Sequence, residues 1–479
     1  IKVIKVIKVI NVVKVIKVIN VIKVNDNSQH RCSFKDERYT YPSVFYMHWG
    51  LIHSGPANNM KIYSITPLKL ILTLGILAVT LCATFMTNAS PAQSVTSSAD
   101  KTIKTIKAIK AIDLAGRSIT LSKPAQRIIL GESRYLSALS ILDTHNPIER
   151  VVGMLADLKV VDYGSYLQLQ HKFPLIDDIP LVGHTSADSF SIEKTLTLNA
   201  DLAIFGVQGH GPSAKHSTLI KQLQQAGVTV VFVDFRRNPM VNTVKSIALL
   251  GQLLGKVSRA NEFIAFYQQQ MQRVIQPLSV LMANQDQAKS KLKPKPKPNV
   301  FLHSRVGLQG LCCETMVKGM MADFVERAGG VNVASSMIPG SAGVLNFEYL
   351  LSFQPDIYIA TAIGSTQPYS DESQRPHYIA LGAGVDETFA QQSFRHALDT
   401  MGMYHLTAVQ QHKAYAIWHH FYNTPLNVVA VQVFAKWLYP EQFTSLEPRQ
   451  TLESLFEQFQ SVPLNGVYWT SLSPQARQK

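Results

Sequence analysis

The 479-residue chain is poor in cysteine, poor in charge and lacks the short motifs of common enzyme and nucleotide-binding sites. Four Cys are too few for a disulfide-stabilised scaffold. Charged residues make up only 16%, so the bulk of the chain does not have the composition of a disordered protein. GxGxxG, GxxxxGK[ST], GxSxG and HExxH are all absent, and no Cys has an evident base partner. We therefore predict neither nucleotide chemistry nor an enzyme.

The formal net charge of +14 is concentrated in two short regions. Fifteen Lys/Arg and four Asp/Glu fall in residues 1–112, and five further Lys fall in residues 289–297. The remainder is close to neutral and offers no basic face for phosphates. We therefore predict no nucleic-acid partner.

The N-terminal residues have the composition of segments outside a folded domain. Residues 1–59 begin with an Ile-Lys-Val repeat whose period of three fits neither a strand nor a helix. We interpret them as non-native coding sequence, with a real basic tail as the alternative. Residues 60–92 read as a signal peptide, with two Lys, an apolar run of about 16 residues and small residues before a cleavage at Ala92. A periplasmic protein beginning with a low-complexity segment, 93–112, is expected. A retained anchor stays open, whereas Leu81 argues against lipidation of Cys82.

Alternating strand and helix patterns predict an α/β fold with an N-terminal lobe over 113–240 and a C-terminal lobe over 299–472. A helical connector over 241–283 and a Lys/Pro-rich insert over 284–298 separate the lobes. Pro277 is expected to kink or end the connector helix. Other predicted elements are a hairpin turning at Gly116, a helix over 316–328, and strands at 127–130, 151–154, 202–207, 228–233, 300–303, 357–361 and 414–417.

Five segments carry a family resemblance that covers most of residues 112–470: DLAGRSITLSKPAQRII, FPLIDDIPLVG, SIEKTLTLNADLAIF, LNFEYLLSFQPDIYIA and VERAGGVNVA. In their order along the chain they resemble the periplasmic substrate-binding proteins of ABC importers for iron–siderophore complexes, haem and cobalamin. The resemblance implies two Rossmann-like lobes joined by a single long backbone helix, with the ligand in the cleft between them and little hinge bending.

Glu193 and Glu348 occupy the same place in two copies of one helix–turn–strand unit. In the family such a Glu on each lobe docks on Arg residues of the permease, and complementary charges fix orientation at interfaces. The alternative is an ordinary solvated acid at a helix start, favoured by the helix dipole.

Ligands of open α/β sheets bind beyond the carboxyl ends of the strands, so the residues after each predicted strand are the candidate ligand contacts. Arginine pairs with catecholate, carboxylate or propionate oxygens, and aromatic rings stack on flat ligand surfaces. The candidates are Arg134, Tyr135, His210, Arg236, Arg237, Arg305, Trp418, His419, His420 and Tyr422.

Several of these candidates could instead be packing residues that contact no ligand. Tyr135 and Trp418 fit core positions, and at most one of Arg236 and Arg237 should face the ligand. The histidines at 419 and 420 would point to opposite faces of a strand, so that one meets the ligand and the other packs.

Neither a cofactor nor a protein-held metal is predicted, because no HxH or HxxxH pattern lies near acids and adjacent Cys312 and Cys313 are not a CxxC pair. Whether these two Cys form a vicinal disulfide or pack as small buried thiols stays open.

The predicted function is a monomeric periplasmic receptor that captures a ferric siderophore or similar iron chelate and delivers it to an inner-membrane ABC permease. The alternatives are a haem or cobalamin receptor of the same fold, and a non-transport periplasmic sensor or scaffold.

Overall fold

The computed structural model describes residues 108–287, 296–308, 312–363 and 378–472. The predictions for the N-terminal repeat, the signal peptide and most of the Lys/Pro-rich insert lie outside the described residues. Within them the chain is α/β, as predicted, with two lobes that each contain a sheet.

An antiparallel pair, β1 (Ile109–Ile112) and β2 (Ser118–Leu121), opens the described chain. Gly116 lies in the connecting turn with φ +81°, a left-handed conformation that glycine adopts without steric cost. Half-buried Ile109 and Ala111 alternate with exposed neighbours. Residues assigned to a low-complexity segment therefore supply the first strand of this hairpin.

The N-terminal lobe holds a five-stranded sheet in which every neighbouring pair is parallel, in the order β5-β4-β3-β6-β7. Its strands are buried apolar runs, as expected for a parallel sheet covered on both faces. They are β3 (Ile128–Leu130), β4 (Val151–Leu155), β5 (Leu181–Gly183), β6 (Leu202–Gly206) and β7 (Thr229–Val233). The helices of this lobe are α1 (Leu136–Leu142), α2 (Asp157–Val161), α3 (Tyr163–Lys172), α4 (Ile192–Thr197), α5 (Ser217–Gln225) and α6 (Pro239–Leu253).

The C-terminal lobe holds a mixed sheet in the order β11-β9-β8-β12-β13-β14, with β10 paired to β8. Its strands are β8 (Asn299–His303), β9 (Glu314–Met316), β10 (Val331–Asn332), β11 (Ala342–Val344), β12 (Ile357–Ala362), β13 (Ala414–Trp418) and β14 (Trp469–Ser471). Its central strands β8, β12 and β13 run parallel. The helices here are α8 (Ala322–Arg327), α9 (Phe347–Phe353), α10 (Glu387–Thr400), α11 (Thr407–Gln410), α12 (Asn427–Leu438) and α13 (Pro448–Phe459).

The helix predicted over 316–328 is shorter than expected. Met316 ends β9, and Gly319 and Met320 have positive φ values of 68° and 50°, which a right-handed helix does not contain. The helix α8 therefore covers only the last part of the predicted range.

One long helix, α7 (Val257–Gln287), connects the lobes. Its 31 residues correspond to about 46 Å of helix. It packs against α6 on one side and α12 on the other, and the Tyr267 hydroxyl donates to Asn427 Oδ1 at 2.7 Å. Pro277 was expected to kink or end this helix. It lies inside the helix, which continues beyond it to Gln287.

None of the helices described here is long and apolar enough to cross a lipid bilayer.

Candidate functional site

The two lobes meet where 3-10 turns follow β3 and β13. The turn Ser133–Tyr135 comes after β3, and the turn His419–Asn423 comes directly after β13. Arg134 Nη1 donates to the Tyr422 hydroxyl at 3.0 Å and lies 3.3 Å from His420 Nδ1. The sequence rule about strand ends therefore located the interlobe contact, because the carboxyl ends of both sheets supply it.

Arg134 is held by two buried carboxylates rather than presented with free donors. Its Nη2 lies 2.8 Å from Glu132 Oε2 and its Nε 3.0 Å from Asp157 Oδ2, and the residue is only 3% exposed. Ser133 adds two hydrogen bonds to Asp157 from its backbone N–H and its hydroxyl. Arg134 thus connects the lobes, and its charge is already neutralised within the protein.

The two acids differ in their pKa behaviour. Burial alone would raise the pKa of Glu132, but the charges of Arg134 and Arg236 and the hydrogen bond from the His210 backbone N–H lower it below its ordinary value. Burial, reinforced by neighbouring Glu132, raises the pKa of Asp157 against the opposing charge of Arg134. Sequence reasoning missed both acids, although each follows a sheet strand within a few residues as the cleft residues do.

Glu132 also contacts both lobes. It accepts from the Asn423 side-chain amide at 2.6 Å and from the His210 backbone N–H at 2.8 Å. A Cβ at Gly209 would lie 1.7 Å from Glu132 Oε1, so the loop after β6 needs glycine at this point.

Arg236 is the interlobe cation with donors to spare. Its guanidinium carbon lies 5.1 Å from the centre of the Tyr422 ring, and Nη1 reaches the Tyr422 hydroxyl at 3.5 Å. Its Nε is buried and has no hydrogen-bond partner, and no ion pair involving it occurs in the described part of the chain. The side chain of Arg237 is exposed instead, while its backbone N–H donates to Asp234.

His210 lies in the same electrostatic environment as these arginines. Its Nδ1 is buried without a partner. Burial first, and then the positive charges of Arg134, Arg236 and Arg305, lower its pKa to about 4. His210 is therefore a neutral imidazole at pH 7 and can donate or accept one hydrogen bond there.

Arg305 and His419 belong to the C-terminal side of the site. Arg305 pairs with Glu314, and its backbone N–H donates to Thr361 Oγ1 at 2.8 Å. The Thr361 hydroxyl also lies 2.8 Å from His419 Nδ1, and the His419 ring lies 4.7 Å from that of Tyr422.

The two adjacent histidines lie in a 3-10 turn, so the expected strand alternation does not apply to them. His420 Nε2 donates to the Val161 carbonyl oxygen at 2.8 Å, which leaves Nδ1 to accept from Arg134. Burial lowers the pKa of both histidines well below the ordinary value, so both are neutral at pH 7.

Tyr135 and Trp418 occupy packed positions. The Tyr135 ring lies 5.8 Å from that of Phe235, and the residue is buried. Trp418 is 4% exposed, and a Cβ at Gly382 would lie 2.7 Å from its indole nitrogen. Both positions favour the core interpretation over a stacking surface.

A small pocket, partly open to solvent, lies between α1–α3 and the C-terminal lobe, with Arg134 and His420 in its wall. Burial raises the pKa of Asp162, which lines it, to about 6. Trp418 and Thr424 also line the pocket, and the Thr424 hydroxyl has no hydrogen-bond partner.

Glu193 and Glu348 are exposed, each in the first turn of a short helix. Ser191 caps α4 by accepting from the Lys194 backbone N–H at 3.2 Å, and Asn346 caps α9 by accepting from the Glu348 N–H at 2.7 Å. The two units thus repeat the same local structure, with the acid at the same position in each.

Cys312 and Cys313, for which the sequence allowed either free thiols or a disulfide, form a vicinal disulfide. Cys313 is buried and Cys312 is half-buried.

Comparison with solved structures identifies the fold. A TroA-like periplasmic binding protein, FepB, from Veillonella parvula aligns over 76% of this chain and 100% of its own, with 23% identity and a TM-score of 0.63. An ABC transporter solute-binding protein from Sulfurospirillum deleyianum covers 74% of this chain and 96% of its own at 16% identity and a TM-score of 0.53. The molybdate periplasmic binding protein MolA of Haemophilus influenzae covers 74% and 99% at 15% identity and a TM-score of 0.51.

No protein-family model matches the sequence, and no curated protein matches it significantly. The structural similarity establishes a two-lobed fold like that of TroA-like periplasmic binding proteins.

Proposed function

We propose that this chain, which has the fold of TroA-like periplasmic binding proteins, is the substrate-binding component of an ABC importer. The proposal is supported by a fold whose solved examples are named as binding proteins, and by polar groups of both lobes converging at one interlobe site. Binding is the activity proposed, because the solved structures that share this fold are named as binding proteins.

The ligand class follows from the donors that the protein leaves unused. Arg236 has a buried Nε without a partner, and His210 has a buried, unpartnered Nδ1 on a neutral ring. Unpaired buried donors are costly unless a ligand accepts from them. An oxygen-rich anion, such as the catecholate, hydroxamate or carboxylate shell of a ferric chelate, supplies those acceptors. This unused donor of Arg236 is the observation that carries the proposal.

The test is a titration of the purified protein, followed by intrinsic tryptophan fluorescence, against ferric catecholates, ferric hydroxamates, ferric citrate, haemin and cobalamin. The Trp418 ring lies 5.4 Å from that of His420 at the interlobe contact, so its emission should respond to a ligand bound between the lobes. Saturable quenching by a ferric chelate, with weaker quenching by the iron-free chelator, is the expected result. Gallium chelates serve as controls for absorption by iron. Quenching by haemin or cobalamin alone would favour the alternative receptor, and no response to any of them would refute a chelate or macrocycle ligand.

The proposed partner is an inner-membrane permease, engaged through Glu193 and Glu348. Both side chains are exposed, and α4 and α9 belong to different lobes, so two separate charges could fix the orientation of the protein. A sensor or scaffold has no need of such a pair, and uptake measurements separate the two roles.

The proposed location is the periplasm, after cleavage near Ala92, and the proposed working form is a monomer. N-terminal sequencing of the protein from a periplasmic fraction should begin near Gln93. A product that retains residues 60–92, or one acylated at Cys82, would contradict this.

A further inference from the structure

Three potential metal ligands converge at the carboxyl end of β8 in the C-terminal sheet. His303 ends β8 and pairs with Thr315 of β9 in antiparallel register. Cys313 precedes Thr315 by two residues, so it lies diagonally opposite His303 on the same face. A ring nitrogen of His303 and the sulfurs of Cys312 and Cys313 all lie within 4.8 Å of one another.

The surroundings hold these ligands in place. His303 is 1% exposed and Cys313 is fully buried, while Cys312 is half-buried. The Tyr358 hydroxyl lies 2.8 Å from His303 Nδ1 and fixes the orientation of the ring. When that hydroxyl accepts the Nδ1–H, the lone pair available to a metal lies on Nε2. The Cys313 carbonyl oxygen accepts from the Leu345 backbone N–H at 3.0 Å, which anchors the cysteine pair.

The donor set favours zinc. Two thiolates and one neutral imidazole neutralise a divalent ion, whereas a monovalent soft ion would leave a buried net charge. Tetrahedral zinc places S and N ligands about 3.6 to 3.8 Å apart, as follows from bond lengths of about 2.3 and 2.0 Å. The distances from the His303 nitrogen to the sulfurs need closure by about 1.2 Å or less, whereas the two sulfurs, bonded in the oxidised protein, must move apart to about 3.8 Å after reduction. The half-buried side at Cys312 leaves room for a fourth ligand from solvent.

We propose that His303, Cys312 and Cys313 form a zinc-class site that opens only when the vicinal disulfide is reduced. In the oxidised protein the two sulfurs are bonded to each other and supply no thiolate. A dithiol reductant attacks the more accessible Cys312 sulfur, and Cys313 leaves as the thiolate. The second thiol of the reductant then attacks the mixed disulfide and releases Cys312 as a thiolate. Two electrons thus pass to the protein, and the reductant becomes a disulfide. Zn²⁺ binding then displaces the thiol protons to solvent.

The test measures Zn²⁺ stoichiometry by native mass spectrometry and equilibrium dialysis, on the whole chain carrying Cys32→Ser and Cys82→Ser. In this background only Cys312 and Cys313 supply thiols. The anaerobically reduced and desalted protein should bind one Zn²⁺ per chain, and the oxidised protein none. Adding Cys312→Ser with Cys313→Ser should abolish binding, and His303→Gln should weaken it at least tenfold. Zinc binding that is absent from the reduced protein, or unchanged in either variant, overturns the proposal.

Since His303 is buried, His303→Gln requires a folding control by near-ultraviolet circular dichroism. If His303→Gln does not fold, Tyr358→Phe tests the site instead. This substitution keeps all three ligands and removes only the hydroxyl that orients the His303 ring. Zinc affinity should fall about tenfold. When the reduced Tyr358→Phe variant binds Cd²⁺, the thiolate-to-metal charge-transfer absorption should be retained, because both cysteines are present. Unchanged affinity in Tyr358→Phe refutes the assignment of His303 as a ligand, and absence of the charge-transfer band from the reduced protein with Cd²⁺ refutes thiolate ligation.

Discussion

Replacing Arg134 by methionine should strongly destabilise the protein. Met preserves much of the side-chain volume but removes the cation that pairs with Glu132 at 2.8 Å and with Asp157 at 3.0 Å. Breaking a buried ion pair by removing one partner costs about 3 to 5 kcal/mol, because an uncompensated charge stays buried. Here two carboxylates lose one shared cation, so we expect a loss of unfolding free energy at the upper end, about 5 kcal/mol, at pH 7.5.

The pH dependence of this loss distinguishes charge burial from simple loss of packing. Without Arg134, burial raises the folded-state pKa values of Glu132 and Asp157 above their unfolded values. Protonation of these two carboxyl groups then favours the folded state. The unfolding free energy of the variant therefore falls as pH rises toward the folded-state pKa values, and it recovers as pH falls. The deficit of Arg134→Met should therefore be much smaller at pH 5 than at pH 7.5, and adding Glu132→Gln should recover part of it at pH 7.5.

The assay is urea unfolding followed by circular dichroism at both pH values. Arg237→Met is the matched control, because its guanidinium is exposed and its removal should change stability by less than about 0.5 kcal/mol. A deficit below about 1 kcal/mol for Arg134→Met, or one of the same size at pH 5 and pH 7.5, would refute the reasoning about buried charge.

Two further predictions concern acids of different environments. Asp162→Asn should raise the unfolding free energy at pH 7.5 by about 2 to 3 kcal/mol. Burial raises the Asp162 pKa from 3.8 to about 6, so above that pH the folded protein must hold an ionised carboxylate that is more stable in the unfolded chain. The gain should vanish by about pH 4 in urea melts across this range, and a gain that is independent of pH would contradict the cause. Reversing Glu193 and Glu348 to Arg together should leave ligand affinity nearly unchanged and sharply reduce uptake by cells. The exposed acids Glu149 and Glu457, reversed in the same way, should leave uptake intact, and equal uptake by both double variants would remove the docking role.

The fold class was predictable from the sequence because buried parallel strands are short apolar runs, and those at β6, β7 and β12 are bounded by recognisable helix patterns. The resemblance then implied the connector helix that α7 forms. The sequence-based assignment was wrong at β1, where the same residues fit both a low-complexity repeat and a short strand. The residues of β1 continue a Lys-containing repeat, and the alternation that makes them a strand is only four residues long.

The candidate site was predictable as a region, whereas the state of each side chain in it was not. Arg134 and Arg236 look alike in sequence, since each follows a strand of the same lobe. Only the fold brings Asp157 to Arg134, and it gives Arg236 no ion pair among the described residues. Trp418 is likewise fixed by Gly382, which is distant in sequence and could not be paired with it in advance.

The most direct test of the central claim compares Arg236→Met with Arg237→Met in calorimetric titrations with the chelate that quenches best. Arg236 is the interlobe arginine with unused donors, whereas its neighbour is exposed. A hydrogen bond to a charged group contributes about 1.5 to 3 kcal/mol, which corresponds to a loss of affinity of about 10- to 100-fold. The account predicts that loss for Arg236→Met, with unfolding stability close to that of the parent protein and an affinity for Arg237→Met within about twofold of it. Equal affinities for the two variants would contradict the claim that the ligand binds between the lobes at Arg236.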